Sequence, residues 1–359
     1  MTLDPAQPVP AADDRDPARD TVSLGTRLRQ PRTILSIVVP LVLVVLVFRV
    51  AFNIDVNELA GGVSRSNKLL LIAAFVVFYA GFPMRGLRWA MLLRGTGHRI
   101  GTRDATEILF LSWLVNCLVP AKLGDVYRAY LLRINSTVSL SRTLGTVFIE
   151  RFLDLFVIAI LGLAAGFWSF RDGFPPALQG VVVLGIAVIV LLALALLTLK
   201  NFGRRILMRL PIPHRFLELY DRFEEGIFGA VGLRSLPPLI VVTVLVWMTE
   251  GMRLWLVIQA LDLPSAHLGI SGAFFVALIG SLLTAVPLSP AGLGTVERGV
   301  VGVLTLAYRV TNQEAATIVV VDRVISVFSI IVLGGIAYVL SPKRRGAGLS
   351  QPEVVDATA

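Results

Sequence analysis

The sequence predicts an all-α, polytopic membrane helix bundle with six membrane spans and two re-entrant hairpins, arranged as an inverted repeat. Three observations lead to this fold class. Hydrophobic residues make up 55% of the 359 residues and charged residues 16%, and the mean hydropathy is +0.79, which is outside the range of ordinary soluble domains. Several apolar runs reach about 20 residues, the length that crosses the hydrocarbon core. A motif of nine residues also occurs twice.

Six apolar runs are long enough to span the membrane. They are Ile34–Phe52, Leu69–Trp89, Gly145–Trp168, Ala177–Leu199, Pro238–Leu261 and Ala316–Leu340. Residues 1–33 are rich in Pro, Asp and Arg with few large apolar residues, which predicts a disordered cytoplasmic tail rather than a cleaved signal. Residues 341–359 are short and polar and predict a second cytoplasmic tail. We therefore expect one transmembrane domain over 34–340.

Two further apolar stretches lead into the repeated motif. Its first copy, Pro120–Arg128, reads PAKLGDVYR, and its second copy, Pro290–Arg298, begins 170 positions later and reads PAGLGTVER. Six of the nine residues are identical. Because Pro and Gly interrupt helices, each copy is a candidate for broken backbone inside the membrane, where transporters place their binding sites.

The basic residues between the apolar runs constrain the topology, because cytoplasmic loops carry an excess of Lys and Arg. Four basic segments are expected in the cytoplasm: Arg27 to Arg32, Arg94 to Arg103, Lys200 to Arg234 and Lys343 to Arg345. These four assignments are consistent with one another only if the chain crosses the membrane an even number of times within each motif region. We therefore predict that Ala105–Leu132 is a hairpin entering from the cytoplasm and Leu268–Tyr308 one entering from outside. Two full crossings in each region satisfy the same count, so that alternative stays open.

We expect a multi-pass protein of the plasma membrane with both termini in the cytoplasm. The similarity between the halves extends beyond the motif: Arg88 and Arg253 are 165 positions apart, and the acid–Arg pairs that begin at Glu150 and Asp322 are 172 apart. The order of these features is the same in both halves. It predicts two repeats, over about 34–168 and 177–340, that are inverted about the membrane plane.

Composition and motif content also narrow the classes of function. The formal charge of +9 comes mostly from loop Lys and Arg without interleaved aromatic residues, so it indicates topology and no nucleic-acid partner. Cys117 is the single cysteine, which excludes a disulfide framework or a cysteine metal cluster. Neither His-Glu-x-x-His nor Gly-x-Ser-x-Gly occurs. We expect a protein that is not an enzyme and has no metal or cofactor.

Charged side chains inside the membrane must face a cavity or a partner. Glu250 and Arg253 lie three positions apart in one span and predict an ion pair on one helix face. The candidate substrate-binding residues are Asn116, Lys122, Asp125, Arg128, Glu150, Arg151, Glu297, Arg298, Asp322 and Arg323. Their four arginines are expected to present guanidinium groups to a phosphate headgroup. The alternative is that these charges form internal ion pairs that hold the helices together.

Several of these segments carry a resemblance to a known family. They are Asn116, the run Pro120–Arg128, Glu150-Arg151 with Asp154, and Pro287–Gly294 with Glu297. Together they resemble the flippase-like membrane family that includes the transmembrane half of lysylphosphatidylglycerol synthases. The resemblance covers about Ile34–Leu340, and because no soluble aminoacyltransferase domain follows, the synthase activity is not expected here.

The resemblance implies movement of a phospholipid or a lipid-linked molecule between leaflets. The partners it implies are a lipid headgroup as substrate and the membrane itself, and it leaves room for a separate lipid-modifying enzyme. Two alternatives stay open at this point. One is a membrane-embedded lipid-modifying enzyme, and the other is a non-transporting scaffold of a lipid or glycan pathway.

Overall fold

The computed structural model describes most of the chain after the first predicted span. The described residues are 61, 63–173, 176, 179–180, 182–183, 185–192, 194, 198, 214–232, 234–284, 289–350 and 354–355. The predicted tail 1–33 and the predicted span Ile34–Phe52 lie outside them, as does part of the predicted span Ala177–Leu199.

The described part of the chain is mostly helical. In chain order its helices are α1 (Lys68–Gly95), α2 (Thr102–Leu118), α3 (Leu123–Asn135), α4 (Leu140–Ser169), α5 (His214–Phe228), α6 (Leu236–Leu261), α7 (Ile270–Leu283), α8 (Thr295–Tyr308), α9 (Asn312–Arg323) and α10 (Ser329–Leu340). Two short strands, β1 (His98–Arg99) and β2 (Val354–Val355), form an antiparallel pair. The π-helical segment Val324–Phe328 joins α9 to α10.

Three helices of the described chain are long and apolar enough to cross a membrane: α1, α6 and the continuous helix Asn312–Leu340. They contain three of the predicted spans. A fourth predicted span, Gly145–Trp168, lies within α4, which is 30 residues long. Four of the six predicted spans are therefore helical in the part of the chain that the structure describes.

The two motif regions form helix–break–helix units. α2 and α3 have 17 and 13 residues and are joined by a break at 119–122. α7 and α8 have 14 residues each. The second copy of the motif starts with the short 3₁₀ turn Pro290–Gly292, and its residues from Thr295 onward begin α8. All four helices are shorter than the roughly 20 residues that a full crossing needs.

The helices of the described chain pack around three buried apolar clusters, and the main one draws on both halves of the sequence. Phe78 of α1, Leu109 of α2, Val257 of α6, and Ile318 and Ile330 of the last helix are all buried in it. Close backbone approach occurs between α4 and α5, where a Cβ on Gly145 would lie 2.3 Å from the carbonyl oxygen of Phe223. This packing brings α1, α4, α6 and both motif regions around a common centre.

The predicted tail 341–359 is anchored where the structure describes it. Lys343 is 2% exposed and forms an ion pair with Asp104 at 2.6 Å. The side-chain amide of Asn135 donates to the carbonyl oxygen of Lys343 at 2.7 Å, and the backbone N–H of Ser350 donates to Asp104. The segment after α10 is therefore fixed to the beginning of α2 and the end of α3.

Candidate substrate-binding cavity

A cavity of about 200 Å³ lies where the two halves of the helix bundle meet. Its charged lining residues are Arg85, Arg88, Lys122, Glu150, Arg151, Asp154, Glu250, Arg253, Asp322 and Arg323. Aromatic and aliphatic side chains, among them Trp113, Trp247 and Val319, line the rest. The cavity lining therefore combines charged and apolar side chains, as sites for amphipathic ligands do.

In the first half, Glu150 of α4 joins two buried arginines. Arg88 of α1 donates to Glu150 at 3.1 Å and to Asp154 at 2.5 Å. Arg128 of α3 donates to the other oxygen of Glu150 at 2.7 Å, and its guanidinium lies 5.2 Å from the ring centre of Trp89. This network ties α1, α3 and α4 together.

Asp125 fixes the first break in the backbone. It accepts two hydrogen bonds from Arg151, at 2.9 and 2.7 Å, in the bidentate geometry that favours Arg–carboxylate pairs. The side-chain oxygen of Asn116 accepts from the backbone N–H of Gly124 at 2.9 Å, and its amide donates to Asp125 at 3.4 Å. Asn116 therefore connects the end of α2 to the beginning of α3.

The second half contains a comparable network. Arg253 of α6 donates to Asp322 at 2.8 Å and forms an ion pair with Glu250, which confirms the pair predicted from their spacing. Glu250 also binds Arg85 of α1. Arg323 lies 2.9 Å from Glu297, whose other oxygen accepts from the backbone N–H of Gly294 at 2.5 Å. Glu250 thus links α1 to α6, and Glu297 fixes the beginning of α8.

The backbone breaks in the same way in both copies of the motif. Ala121 and Lys122 have φ angles of 62° and 52°, and the equivalent Ala291 and Gly292 have φ angles of 50° and 73°. Non-glycine residues in this left-handed region cost about 1–2 kcal/mol each. Lys122 adopts this strained conformation where the second copy has glycine.

A π-helical turn follows Arg323 and contributes Ser326 and Val327 to the cavity lining. It covers Val324–Phe328, and such turns inside α-helices are frequent at functional sites. Ser326 of this turn lines the cavity, is 9% exposed, and its hydroxyl has no hydrogen-bond partner among the described residues. Arg85, which is 3% exposed, likewise has one terminal nitrogen without an acceptor.

The structure separates the predicted site residues into three groups. Six of them line the cavity: Asn116, Lys122, Glu150, Arg151, Asp322 and Arg323. Asp125, Arg128 and Glu297 lie behind the lining and bind residues that form it. Arg298 is exposed and lies outside the lining.

The four arginines that were expected to face a headgroup have different surroundings in the structure. Of these four, Arg151 and Arg323 line the cavity and the other two do not. Arg128 is fully buried between Trp89 and Glu150, and this contact matches the alternative of an internal ion pair. Arg298 points away because the start of α8 presents Val296 and Glu297 to the interior instead.

Sequence reasoning missed Arg85, Trp113, Trp247 and Ser326 as lining residues. A signal existed for Arg85, because it lies one helical turn before Arg88 and residues three apart share a helix face. Trp247 could be placed only through its contact, a hydrogen bond of 3.0 Å from its indole nitrogen to Asp154. Ser326 depends on the π turn, for which the sequence contains no obvious signal.

Comparison with known proteins identifies several relatives of this chain. The chain is 36% identical to a UPF0104 membrane protein of Methanocaldococcus jannaschii, over 62% of this chain and 92% of that protein. It is 26% identical to a UPF0104 membrane protein of Methanothermobacter thermautotrophicus, over 75% and 82%. It is 25% identical to the glycosyltransferase AglD of Haloferax volcanii over 91% of this chain, which covers 59% of that longer relative.

Most of the chain also matches the model of a protein family. The match is to the family described as the lysylphosphatidylglycerol synthase TM region and covers residues 34–334. This range contains both copies of the motif and every charged residue that lines the cavity. The chain is thus a membrane protein that belongs to the lysylphosphatidylglycerol synthase transmembrane-region family.

Proposed function

We propose that this protein moves a phospholipid or a lipid-linked molecule between the leaflets of the plasma membrane. The observation that carries the proposal is the cavity of about 200 Å³, which gathers charged side chains between helices apolar enough to cross a membrane. A charge at the bilayer centre costs about 2.5–3.5 kcal/mol on insertion scales. A polar cavity at that depth gives a headgroup a path through the hydrocarbon core.

The topology we propose has both motif regions as re-entrant hairpins that enter from opposite sides, with both termini in the cytoplasm. Three features support it. The motif helices have 13 to 17 residues, and the left-handed residues occur at the same two positions of each copy. The ion pairs Arg88–Glu150 and Arg253–Asp322 also join equivalent residues of the two halves. An inverted repeat places such breaks together near the midplane.

The arrangement of the carboxylates favours translocation over lipid chemistry. Each carboxylate of the network is engaged by at least one arginine: Asp125, Glu150, Asp154, Glu250, Glu297 and Asp322. A general base needs a carboxylate that is free to accept a proton from the substrate. The relative named AglD is described as a glycosyltransferase, which is consistent with a role beside a glycan or lipid pathway and keeps a membrane-embedded enzyme as the alternative.

Reconstitution tests the proposed activity. The purified chain would be placed in liposomes with an anionic phospholipid that carries a fluorophore, and movement would be followed by quenching of the outer leaflet. We expect faster loss of fluorescence than in protein-free liposomes. Ser281→Trp, which places an indole in the cavity lining, should slow the movement at least tenfold, because the headgroup path is filled.

The matched control is Leu306→Trp, which adds an indole at a side chain that is 68% exposed and outside the lining. It should leave transport unchanged. Equal rates for liposomes with and without protein, for phospholipids and lipid-linked sugars alike, would reject the proposed function. Turnover of the lipid to a new product would support the enzyme alternative.

Cysteine labelling tests the topology, because Cys117 is the single native cysteine and Cys117→Ser gives a cysteine-free background. Arg133→Cys should react with a membrane-impermeant maleimide only from the cytoplasmic side, and His267→Cys only from outside. The decisive position is Ala121, in the first break. Two full crossings would expose Ala121→Cys to the external reagent, whereas a re-entrant hairpin keeps it unlabelled from that side.

A further inference from the structure

Lys122 differs from every other cation of the charged network. The six arginines of the network each have a carboxylate partner: Arg85, Arg88, Arg128, Arg151, Arg253 and Arg323. Lys122 lines the cavity, yet within the described part of the chain its ammonium group forms no ion pair and no hydrogen bond. Since the network contains six carboxylates, it is left with one surplus positive charge, and this charge resides on Lys122.

The backbone at Lys122 indicates that the lysine is there for a reason other than folding. Its φ and ψ angles are 52° and 36° at the position that precedes α3. The equivalent residue of the second copy is Gly292, which adopts φ 73° without the steric penalty of a side chain. A strained residue that persists without a stabilising partner is characteristic of functional sites.

Within the described residues, three further buried donors that belong to lining residues have no acceptor: a terminal nitrogen of Arg85, the hydroxyl of Ser326 and Nε of Arg88, whose terminal nitrogens are already bound to Glu150 and Asp154. One terminal nitrogen of Arg85 binds Glu250, while the other has no partner within the described residues. The guanidinium of Arg85 lies 4.9 Å from the ring centre of Trp113, which holds it in place. The hydroxyl of Ser326 is also unpartnered. Buried donors are rarely left unsatisfied, so these groups are expected to bind a ligand.

We propose that Lys122, with Arg85 and Ser326, binds the phosphate group of the substrate. The inference rests on the proposed translocation and adds the chemical class: the substrate is a phosphate-containing molecule with net negative charge. A phosphate offers several acceptor oxygens to the ammonium, guanidinium and hydroxyl donors. It also neutralises the surplus charge, whereas a headgroup with net positive charge would increase it.

Binding measurements on the purified full chain in detergent test this without relying on transport. The probes are dioctanoyl phosphatidylglycerol, dioctanoylglycerol, which lacks the phosphate, and inorganic phosphate, each measured by calorimetry. We expect dioctanoyl phosphatidylglycerol to bind and dioctanoylglycerol not to. Lys122→Gly should weaken phosphatidylglycerol binding about tenfold or more, the effect of losing one strong charged contact. Lys122→Arg, which keeps the charge, should retain binding within about threefold.

Arg309→Gly is the matched control for Lys122→Gly. Arg309 is also left-handed, with φ 57°, and is exposed outside the cavity lining. Both glycine variants should be at least as heat-stable as the unchanged protein, because each relieves the same backbone strain. Only Lys122→Gly should lose binding. A binding loss that came from misfolding would lower the midpoint of thermal unfolding as well.

The affinities for dioctanoyl phosphatidylglycerol and for inorganic phosphate distinguish a lipid phosphate from free phosphate as the ligand. Binding of the lipid at concentrations where inorganic phosphate does not bind identifies a lipid phosphate, and Lys122-dependent binding of both identifies a general phosphate site. The proposal is overturned if Lys122→Gly binds phosphatidylglycerol as tightly as the unchanged protein. It is also overturned if a dioctanoyl lipid with a net cationic headgroup binds more tightly. Absence of transport with intact Lys122-dependent binding would reject only the proposed translocation.

Discussion

The two copies of the motif share a pair of left-handed residues and differ in their charge. Both break the helix with two consecutive left-handed residues, but the new helix begins three residues after Pro120, at Leu123, and five residues after Pro290, at Thr295. The first copy, however, places Lys122, Asp125 and Arg128 in or against the charged network, whereas the equivalent Gly292 and Thr295 carry no charge. The break is therefore a property of the fold, and the charge that could recognise a substrate is concentrated in the first copy.

The comparison also shows how different sequences make the same contact. Asp125 in the first copy binds Arg151, and Glu297 in the second copy binds Arg323, the equivalent arginine. The two acids are not at equivalent positions, because the residue that corresponds to Asp125 is Thr295. An acid at the beginning of each motif helix thus holds the arginine of the following helix in both halves. The shared feature is the contact between these two helices, which an alignment of the two motifs does not display.

Substitution of the last residue of the motif should give the largest difference in stability between the two copies. Arg128 is fully buried and bound to Glu150, so Arg128→Ala leaves a buried carboxylate with one of its two arginines missing. Breaking a buried ion pair in this way costs about 3–5 kcal/mol. Arg298→Ala removes an exposed side chain and should change stability by no more than about 0.5 kcal/mol. Thermal unfolding in detergent, followed by tryptophan fluorescence, measures both.

Glu225→Ala serves as the reference for an ordinary ion pair, because its partner Arg142 also contacts Nε2 of His98 at 2.9 Å and would lose more than the pair. The side chains of Arg142 and Glu225 are 27% and 56% exposed, so removing Glu225 should cost less than about 1 kcal/mol. If Arg298→Ala destabilised the protein as much as Arg128→Ala, the two motif arginines would have equivalent roles, and the assignment of Arg298 to the exposed surface would be wrong.

Much of this arrangement could be predicted from the sequence, and the arginines show where such prediction fails. Apolar length was enough to locate α1, α6 and the last helix, and spacing was enough to pair Glu250 with Arg253. These features depend on local sequence. Whether a motif arginine is buried depends instead on which face of its helix meets the rest of the protein, and identical residues at Arg128 and Arg298 have opposite environments. Tertiary packing alone decides that difference.

The glycine that the two copies share allows a comparison in which the expected loss of stability is smaller but has a different cause in each copy. A Cβ on Gly124 would lie 2.0 Å from the carbonyl oxygen of Ser112 and 2.6 Å from the side chain of Asn116. Gly124→Ala should therefore destabilise the protein by about 1–3 kcal/mol through overpacking. A Cβ on Gly294 would meet no atom within 4 Å, but its φ is +87°, so Gly294→Ala should cost about 1–2 kcal/mol through backbone strain alone.

The two causes are separated by asparagine, which is larger than alanine but tolerates left-handed backbone better. At Gly124, asparagine should be more destabilising than alanine, because the added atoms increase the clash with α2. At Gly294, asparagine should be less destabilising than alanine, because space is available and only the backbone conformation matters. The thermal midpoints of the four variants measure this reversal. The same ranking of asparagine and alanine at both positions would mean that a single constraint, either packing or strain, governs both copies of the motif.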